Sequence, residues 1–399
     1  MPNLKMNAQD VAPDLLTFAQ RLVQIQSYTG QEEAIARFIA AQMSALGYDE
    51  VKIDRYGNVV GRVGAGARSL LFDAHMDTVV VSDAAEWSAP PFGGEIKDGY
   101  LWGRGSVDMK SGLAASLYAA AIAKSQGLLD GKTVYVTCTV AEEDCDGEGL
   151  KAALLENGLR PDWVVICEPS ANLISTGHKG KAQIIVQTQG VSAHGSAPEK
   201  GVNAVYEMAE IIQRVEQTNL ALAQQPGAPG KPGRHGTLVL AQIASVAVSL
   251  NAVPYACEIY LDRRMVVGES EQTIQDEMER ILHGKNASWK YDILKRKTWT
   301  GADITYNPLA PAWEISLEHP LALALRAAYT ETFAQPPQKF EYWDFSTNAI
   351  AAVRLGIPTI GFGPGEHKLA HTRDEKCSID QIIEACAVYT RLIDHLLPV

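Results

Sequence analysis

Hydrophobic residues early in the chain recur with the spacing of an amphipathic helix. Thr29 and Glu32 match a capping box, in which two side chains satisfy backbone amides at a helix start. The apolar residues that follow at helical spacing are Ile35, Phe38, Ile39, Met43 and Leu46. The pattern predicts a helix that begins just after Glu32.

Four later segments are short and almost uniformly apolar. They are SLLFDA at 69–74, TVYVTCTVA at 133–141, WVVIC at 163–167 and IPTIGF at 357–362. Runs that are apolar on both faces are typical of strands in a sheet covered by helices on both sides. An alanine-rich segment at roughly 111–126 predicts a helix between the first two strands. These elements predict a three-layer α/β domain with a mixed sheet.

The middle of the chain has a different pattern. In ACEIYLDRR, at 256–264, apolar residues alternate with polar ones, as expected for an antiparallel strand with one solvent-facing side. The order from about 181 to 294 is strand, helix, strand, strand, helix, strand, with helices near 203–217 and 270–283. This order is ferredoxin-like.

We therefore expect two domains, which also suits a length of 399 residues. Residues 1–180 and 295–399 would form a discontinuous main domain, and residues 181–294 an inserted α+β domain. The Gly- and Pro-rich segment GAPGKPGRHG, at 227–236, is expected to be a loop.

Acidic and imidazole side chains follow the carboxyl ends of the predicted main-domain strands, where open α/β sheets collect their ligands. The residues concerned are Asp73, His75, Asp77, Asp108, Glu142, Glu143, Asp144, Glu168, His367 and His371. Taken alone, such a motif is more often a solvated turn or a hydrogen-bonded core group. Together, however, these residues would place many acids at one edge of the sheet. Such a cluster needs a counter-charge, and a divalent metal ion is the natural one.

The residue types select among metals. Histidine with carboxylate and without thiolate suits zinc, cobalt or manganese rather than calcium. Two ions about 3.5–4 Å apart would use a bridging carboxylate. His75 is then a ligand, and Asp77, two residues further along an extended chain, can accept the hydrogen of its second ring nitrogen. The role of Asp73 stays open.

Glu142 and Glu143 are adjacent, so in an extended segment their side chains point in opposite directions. One of them can bind metal while the other faces the substrate as a general base. Hydrolysis needs such a free carboxylate to take a proton from water and pass it on.

Composition limits the partners and the compartment. Hydrophobic residues make up 46% and charged residues 21% of the sequence, as in soluble globular proteins. A net charge of −12 argues against a nucleic-acid partner. No stretch approaches 18 apolar residues, so we expect no membrane span. The N-terminus lacks a signal-peptide pattern, and the six scattered cysteines fit reduced thiols, so we expect a cytoplasmic protein.

Four motifs occur in a specific order: HMDTV, GRGSVDMKSG, AEED and GVSAHGSAPEKGVNA. With them, essentially the whole chain resembles the di-zinc peptidase and amidohydrolase family that includes acetylornithine deacetylase, succinyl-diaminopimelate desuccinylase, aminoacylase and glutamate carboxypeptidase. The segments EEDCDG, GHKG, LDRR and FSTN are most similar to a subgroup labelled selenium-metabolism-linked hydrolases. That label does not fix a substrate.

The resemblance implies a set of metal ligands. The matching residues are His75, Asp108, Glu143, Glu168 and His371. Asp108 would bridge two zinc ions, with His75 and Glu168 on one ion and Glu143 and His371 on the other.

The resemblance also implies roles around the metal. Glu142 matches the general base of the family, and Asp77 matches the acid that orients a ligating histidine. His371, rather than His367, lies where the family has its C-terminal ligand, before a short run that ends in Asp-Glu. At the position of Glu168 the family has glutamate in deacylases and carboxypeptidases and aspartate in many aminopeptidases, so we expect deacylation or carboxypeptidase-like cleavage.

By the same resemblance the inserted domain is a lid and dimerisation domain, and the active unit is a homodimer. His194 in SAHGS matches a histidine that reaches the neighbouring subunit's active site and stabilises the oxyanion. Asn251 and Arg264 match positions that hold a substrate carboxylate, with Arg263 as the ambiguous neighbour. Weaker candidates for the cleft, for which structural roles are the alternative, are His178, Lys179, Thr347 and Asn348.

The expected function is hydrolysis of an amide-type C–N bond in a small N-acyl amino acid or related carboxylate. It would use two divalent ions, zinc first, with cobalt or manganese as alternatives. A dipeptidase, a carboxypeptidase or an N-carbamoyl amidohydrolase fits the same site. Two alternatives come from other functional classes. The first is a cysteine hydrolase that uses Cys145 or Cys167, but neither cysteine has an obvious partner histidine nearby in sequence. A non-catalytic binding relative should have lost ligands that are all present here.

Overall fold

The computed structural model describes residues 7–225 and 234–396. Most of the segment predicted as a loop at 227–236 lies outside these residues. The α-helices of the described residues are α1 (Ala12–Gln24), α2 (Glu33–Ala45), α3 (Ser111–Gln126), α4 (Glu148–Glu156), α5 (Ala204–Gln224), α6 (Glu271–Leu282), α7 (Pro320–Phe333), α8 (Ala349–Arg354) and α9 (Ile379–Asp394).

The strands are β1 (Glu50–Ile53), β2 (Val59–Gly64), β3 (Arg68–His75), β4 (Ile96–Lys97), β5 (Tyr100–Trp102), β6 (Lys132–Thr139), β7 (Trp163–Ile166), β8 (Ile174–His178), β9 (Gly180–Gln189), β10 (Thr237–Val246), β11 (Ala256–Met265), β12 (Ala287–Tyr291), β13 (Leu294–Lys297), β14 (Asp303–Tyr306), β15 (Leu309–Ala310), β16 (Trp313–Glu314), β17 (Phe340–Trp343), β18 (Thr359–Gly361) and β19 (Lys376–Ser378).

Four parallel strands form the centre of a nine-stranded mixed sheet. The order through the sheet is β1-β2-β6-β3-β7-β18-β8-β16, with β17 paired to β8. β3 lies between β6 and β7, and β18 lies beyond β7, all four in parallel. β2 and β8 flank this group in the antiparallel direction. The carboxyl ends of the four central strands therefore meet at one edge of the sheet.

Helices cover this sheet. Every residue of β3 after Arg68 is buried, which requires cover on both faces. α3 packs on β2, β3 and β6 and is itself covered by α1 and α9, while α4 and α8 pack on each other and against β6, β7 and β18. Within the described ranges, no helix is both long and apolar enough to cross a bilayer. The α/β fold with a mixed sheet, predicted from the uniformly apolar strands, is confirmed.

A second, antiparallel sheet contains the strands of the middle segment. Its order is β10-β11-β9-β12, with β15 paired to β9. The element order β9, α5, β10, β11, α6, β12 agrees with the predicted order, and β11 alternates between buried and more exposed residues. α5 and α6 pack with this sheet around a hydrophobic cluster of their own, separate from that of the main sheet.

The start of α2 differs from the predicted capping box. The helix begins at Glu33, but the side chain of Glu32 makes no hydrogen bond to the amides of its own helix. Its carboxylate instead accepts a hydrogen bond from the backbone N–H of Ala141, 3.1 Å away. Thr29 likewise donates to the carboxylate of Asp77. The capping-box prediction is wrong because the side chains of Thr29 and Glu32 form hydrogen bonds with residues near the strand ends instead of with the amides of α2.

Gly112 allows α3 to approach the end of β7 closely. A Cβ atom at this position would lie 2.2 Å from the backbone oxygen of Cys167, the residue before Glu168. We expect Gly112→Ala to lower the free energy of unfolding by about 1–3 kcal/mol, the usual effect of overpacking. Ser125→Ala, on the partly exposed end of the same helix, is the control and should change stability little. Denaturant titration checks both, and an unchanged stability of Gly112→Ala would contradict the close contact.

Candidate active site

His75 ends β3 and has 1% of its side chain exposed. Its Nε2 atom lies 2.8 Å from Oδ1 of Asp108. Its Nδ1 atom lies 3.0 Å from the backbone oxygen of Asp77 and 3.6 Å from the carboxylate of that residue. The closest group that orients the imidazole is therefore the carbonyl of Asp77, whereas the sequence pointed to its carboxylate.

The carboxylate of Asp77 holds the segment that follows β6. Its Oδ1 accepts a hydrogen bond from the backbone N–H of Glu142 at 3.1 Å, and its Oδ2 accepts one from that of Glu143 at 3.2 Å. Ala141, just before them, has a φ of 58°, a left-handed conformation that costs a non-glycine residue roughly 1–3 kcal/mol. The two hydrogen bonds that Asp77 accepts therefore fix a strained turn, from which Glu142 and Glu143 reach different partners.

Asp108 lies in the turn before α3, and buried charges hold this turn. The backbone N–H groups of Val107 and Asp108 donate to one oxygen of Glu375, at 2.8 and 3.1 Å. Arg104 donates to the other oxygen of Glu375 at 2.6 Å. Because Glu375 follows His371 closely in the chain, one acid ties together the segments that carry Asp108 and His371.

His371 approaches Asp108 through the second carboxylate oxygen. Its Nε2 atom lies 3.2 Å from Oδ2 of Asp108 and 3.0 Å from Oε2 of Glu143. The other oxygen of Glu143 accepts a hydrogen bond from the backbone N–H of Val79 at 3.1 Å. Asp108 therefore faces two imidazoles, one with each oxygen.

Glu168 follows β7 and lies on the side of His75. One of its carboxylate oxygens is 3.7 Å from Nε2 of His75. A Cβ atom on Gly363 would lie 2.4 Å from the backbone oxygens of Cys167 and Glu168. The chain that leaves β18 thus packs directly against the strand end that carries Glu168.

Two groups of side chains have the spacing of a metal site. Ligand atoms of His75, Asp108 and Glu143 lie within 4.8 Å of one another, and so do those of His75, Glu142 and Glu168. Imidazole nitrogens and carboxylate oxygens are donors that zinc, cobalt and manganese accept. The second group includes Glu142, so its position suits a ligand as well as a base.

Burial makes these carboxylates unfavourable without positive charge nearby. Desolvation, and then the negative charge of Asp108, raise the pKa of Glu168 well above its usual value and that of Glu143 to about 7. Desolvation also raises the pKa of Glu142. Burial opposes ionisation of Asp108 too, but hydrogen bonds from His371 and His75 outweigh it and lower the pKa of Asp108. A divalent cation would relieve the repulsion among these acids.

A cavity of about 340 Å³ opens in front of the cluster. Beyond the acids and His371, its lining consists of Asp146, Lys181, Arg264, Phe345, Ser346, His367 and Ala370. Arg264 is oriented by Asp262, with distances of 2.7 and 3.0 Å between paired nitrogens and oxygens. Lys181 pairs with Asp146 at 2.7 Å. Two cationic side chains thus line the cavity, which suits a substrate with a carboxylate.

Arg263 does not reach this cavity. Its side chain is 1% exposed and is paired with Glu269 at 2.5 Å and with Glu277 at 2.9 Å. Because neighbouring residues of a strand face opposite ways, Arg264 points to the cavity while Arg263 ties β11 to α6 and the residues before it. Of the two arginines, Arg264 therefore lines the cavity and Arg263 does not.

His194 and Asn251 lie apart from the metal candidates. Both are exposed and line a separate depression beside the second sheet. Nδ1 of His194 is 2.7 Å from the hydroxyl of Ser196, and His194 forms an isolated bridge with Ala252. Within one chain, these two predicted site residues are not brought to the acids.

The weaker candidates have structural surroundings. They are all buried and none lines the cavity; they are His178, Lys179, Thr347 and Asn348. Nδ1 of His178 lies 2.8 Å from the backbone oxygen of Lys179, and burial lowers the pKa of His178 to about 4. Asn348 donates to the carboxylate of Asp73 at 2.9 Å. Asp73, whose role was open, is thus a buried hydrogen-bonding group that joins β3 to the start of α8.

The cysteines offer no nucleophile. All six are free and buried. Burial raises the pKa of Cys145 to about 12 and that of Cys167 even further above its usual value. Since the thiolate is the nucleophile, the cysteine-hydrolase alternative loses its support.

Sequence reasoning missed Glu32, Glu375 and the ion pair of Asp146 with Lys181. Asp146 also accepts a hydrogen bond from Ser346, so it anchors one wall of the cavity. The motifs EEDCDG and AHTRDE contain Asp146 and Glu375, but a local pattern does not reveal which amide or cation an acid will face.

The model of Peptidase family M20/M25/M40 matches residues 71–395 of this chain. The chain belongs to this family. It is 35% identical to the uncharacterized protein YgeY of Escherichia coli (strain K12), over 96% of this chain and 95% of that protein. It is 28% identical to a succinyl-diaminopimelate desuccinylase of Cereibacter sphaeroides, over 95% of this chain and 98% of that protein. The resemblance, and the hydrolase class expected from it, are confirmed.

The fold of this M20 member also agrees with that of a solved relative. The M20 family metallo-carboxypeptidase Sso-CP2 from Sulfolobus solfataricus superposes with a TM-score of 0.74, covering 96% of this chain and 99% of that chain. The sequence identity is 17%, so the likeness concerns the fold alone. It supports the α/β fold class predicted for this M20 chain.

We expect His371, rather than His367, to be needed for metal retention. His371 contacts two carboxylates, whereas the ring of His367 faces Phe345, with centroids 6.1 Å apart. His371→Ala should therefore lower the number of bound ions per chain, and His367→Ala, the matched control from the same loop, should not. Elemental analysis of the two purified variants checks this. Retention in His371→Ala together with loss in His367→Ala would reverse the assignment.

Proposed function

We propose that this M20 family member cleaves an amide-type C–N bond in a small N-acyl amino acid or related carboxylate, with the help of divalent metal. The position of Asp108 carries the proposal, because its two oxygens lie 2.8 Å from His75 and 3.2 Å from His371. A carboxylate with one imidazole at each oxygen is suited to being shared by two ions in a two-metal site.

The donor set fits two ions, zinc first, with cobalt or manganese as alternatives. His75 and Glu168 would bind one ion, and Glu143 and His371 the other, with Asp108 shared between them. When bound, such ions polarise a carbonyl group and make water a stronger nucleophile at neutral pH.

Glu142 is the proposed general base. Its carboxyl group lies in the cavity wall, within reach of His75 and Glu168. From there it can take the proton of the attacking water and pass it to the leaving nitrogen. Asp77 supports this role because it fixes the backbone of Glu142.

The proposed substrate carries a carboxylate that Arg264 binds. Asn251, which lies with His194 outside this cavity in its own chain, would be a second contact from the neighbouring subunit. Arg264 lines the cavity and is held in place by Asp262. Deacylation is preferred because Glu168 matches the family's deacylases and carboxypeptidases, and one relative is named a desuccinylase. A dipeptidase, carboxypeptidase or N-carbamoyl amidohydrolase would use the same carboxylate contact, so these substrates are the alternatives to be screened.

A cytoplasmic location is part of the proposal. The six cysteines of the chain are all free and buried, as expected in a reducing compartment. The net charge of −12 favours a small-molecule substrate over a nucleic acid.

The decisive experiment separates Glu142 from Glu143. Zinc- or cobalt-loaded protein should hydrolyse at least one compound in a panel of N-acyl amino acids and dipeptides, and chelation should abolish this activity. Glu142→Ala should keep its metal but lose turnover by roughly 10²–10⁴-fold, the usual contribution of a general base. Glu143→Ala should lose or weaken one ion, since its carboxylate contacts His371.

Asp144→Ala is the matched control from the same acidic run. Asp144 is partly exposed and pairs with Arg296 at 2.8 Å, so its loss should change neither metal content nor turnover. Full activity in metal-free protein would refute the function. Equal metal loss in the Glu142 and Glu143 variants would instead make both residues ligands and refute the division of roles.

The active unit is proposed to be a homodimer that pairs through the second sheet. β10 lies at the edge of this sheet and is exposed along most of its length. Exposed apolar residues on it and just after it are Val239, Ile243, Val246, Val248 and Leu250. A long apolar edge strand is a template for pairing with another chain. A second copy about a two-fold axis would cover the same surface on both subunits.

This interface would place His194 in the partner's active site. The depression that contains His194 and Asn251 also contains Leu250, so it adjoins the apolar strand. A donor aimed at the developing oxyanion contributes about 2.7–4 kcal/mol. His194 does not line the cavity of its own chain that contains the acids, which favours a role in trans.

Subunit mixing tests the trans role. His194→Ala and Glu142→Ala homodimers should each be nearly inactive, but subunit exchange between them should restore activity. One site of the hybrid would combine an intact Glu142 with the partner's intact His194. Subunit exchange is followed with differently tagged subunits, and hydrolytic activity is measured after mixing. Two His194→Ala preparations mixed together are the control. Exchange without recovered activity, or full activity as a monomer, would refute the role.

A further inference from the structure

The turn before α2, residues 27–32, packs against the back of the candidate active site. The hydroxyl of Ser27 donates a hydrogen bond to the backbone oxygen of Met76 at 2.7 Å. The backbone oxygen of Ser27 accepts one from the backbone N–H of Thr78 at 2.9 Å. The hydroxyl of Thr29 donates to Oδ2 of Asp77 at 2.7 Å. This N-terminal turn is therefore joined to the segment that follows His75.

Glu32 extends the same contact to a second segment. Its side chain is fully buried, and Oε1 accepts a hydrogen bond from the backbone N–H of Ala141, 109 positions away in the chain. Its other oxygen has no hydrogen-bond partner among the described residues. A buried carboxyl group with one unpartnered oxygen is unfavourable for stability alone, since an apolar side chain would bury more easily.

Glu32 and Asp77 together hold three consecutive backbone amides. Glu32 accepts from Ala141 at 3.1 Å, and the two oxygens of Asp77 accept from Glu142 at 3.1 Å and Glu143 at 3.2 Å. Ala141 is the left-handed residue of this turn, so it is the point at which the backbone would relax if its amide were released. Relaxation there would rotate the residue that follows, Glu142.

We propose that Glu32 is a positioning residue that sets the orientation of Glu142 by holding the amide of Ala141. The inference rests on the proposed function only in taking Glu142 as the base. Glu32 lines neither the cavity nor the candidate metal groups, so it acts through the turn and not on the substrate. Its side chain also makes no capping hydrogen bond to its own helix.

The surroundings of Glu32 indicate which substitution preserves its contact. Burial, and then the negative charge of Asp77, raise the pKa of Glu32 to about 7. The neutral carboxyl form is therefore well populated near neutral pH. Glutamine has the same shape and keeps an oxygen that can accept from Ala141, so Glu32→Gln should retain the function that Glu32→Ala removes.

The experiment compares Glu32→Ala and Glu32→Gln with the wild type in the metal-loaded full chain. Glu32→Ala should lower kcat by about 10–100-fold, the scale of a catalytic group displaced by about an ångström, with KM changed less than about twofold. Metal content should stay at the wild-type value. Amide hydrogen exchange of the peptide around Ala141 should become faster. Glu32→Gln should stay within about threefold of wild type in kcat and exchange at the wild-type rate.

Glu33→Ala is the matched control. Glu33 is the exposed neighbour on the same helix start and pairs only at the surface with Arg37, so its loss should leave every measurement unchanged. If Glu32→Ala does not fold, Glu32→Asp replaces it. The shorter side chain moves the carboxylate away from Ala141 by one methylene, and this variant is compared with Glu32→Gln in the same way.

Three outcomes would overturn the proposal. They are an unchanged kcat in Glu32→Ala, an activity loss that metal reloading restores, and a Glu32→Gln variant as impaired as Glu32→Ala. If the wild type hydrolyses no compound, the proposed function fails, and hydrogen exchange alone then decides whether Glu32 holds the turn. An unchanged rate of amide hydrogen exchange in Glu32→Ala would refute the proposal that Glu32 holds the amide of Ala141.

Discussion

The contact of one carboxylate with two imidazoles is the interaction on which the site depends. Asp108 faces His75 with one oxygen and His371 with the other, and these histidines come from distant parts of the chain. The geometry holds only if the ends of β3 and β18 and the turn before α3 meet at one place. The parallel central strands provide this, because their carboxyl ends share one edge of the sheet.

A second set of acids supports this contact without lining the cavity. Asp77, Glu375 and Glu32 each accept hydrogen bonds from backbone N–H groups beside a candidate ligand or the base. Such hydrogen bonds hold turns that would otherwise relax, and they are stronger when the accepting carboxyl group is ionised. When ionised, these acids also add negative charge around the proposed ligands. The same residues that define the geometry therefore increase the need for a cation.

Much of this arrangement was predictable from the sequence. Uniformly apolar runs that end in acid or imidazole indicated both the buried sheet and the edge at which His75 and Glu168 meet. The supporting contacts were not predictable, because Glu32 and Ala141 are joined only by the tertiary fold. The local pattern even favoured the wrong partner for Glu32, since a capping box has the same residue types. Strand direction, rather than residue type, separated Arg264 from Arg263.

The two halves of the site differ in their access to solvent. The side chain of His75 is 1% exposed, whereas that of His371 is 52% exposed and lies on a loop with a left-handed backbone. Ions held at the two positions would therefore exchange with the medium at unequal rates. The proposed ion beside His75 would be shielded from solvent, and the one beside His371 would be more open to it.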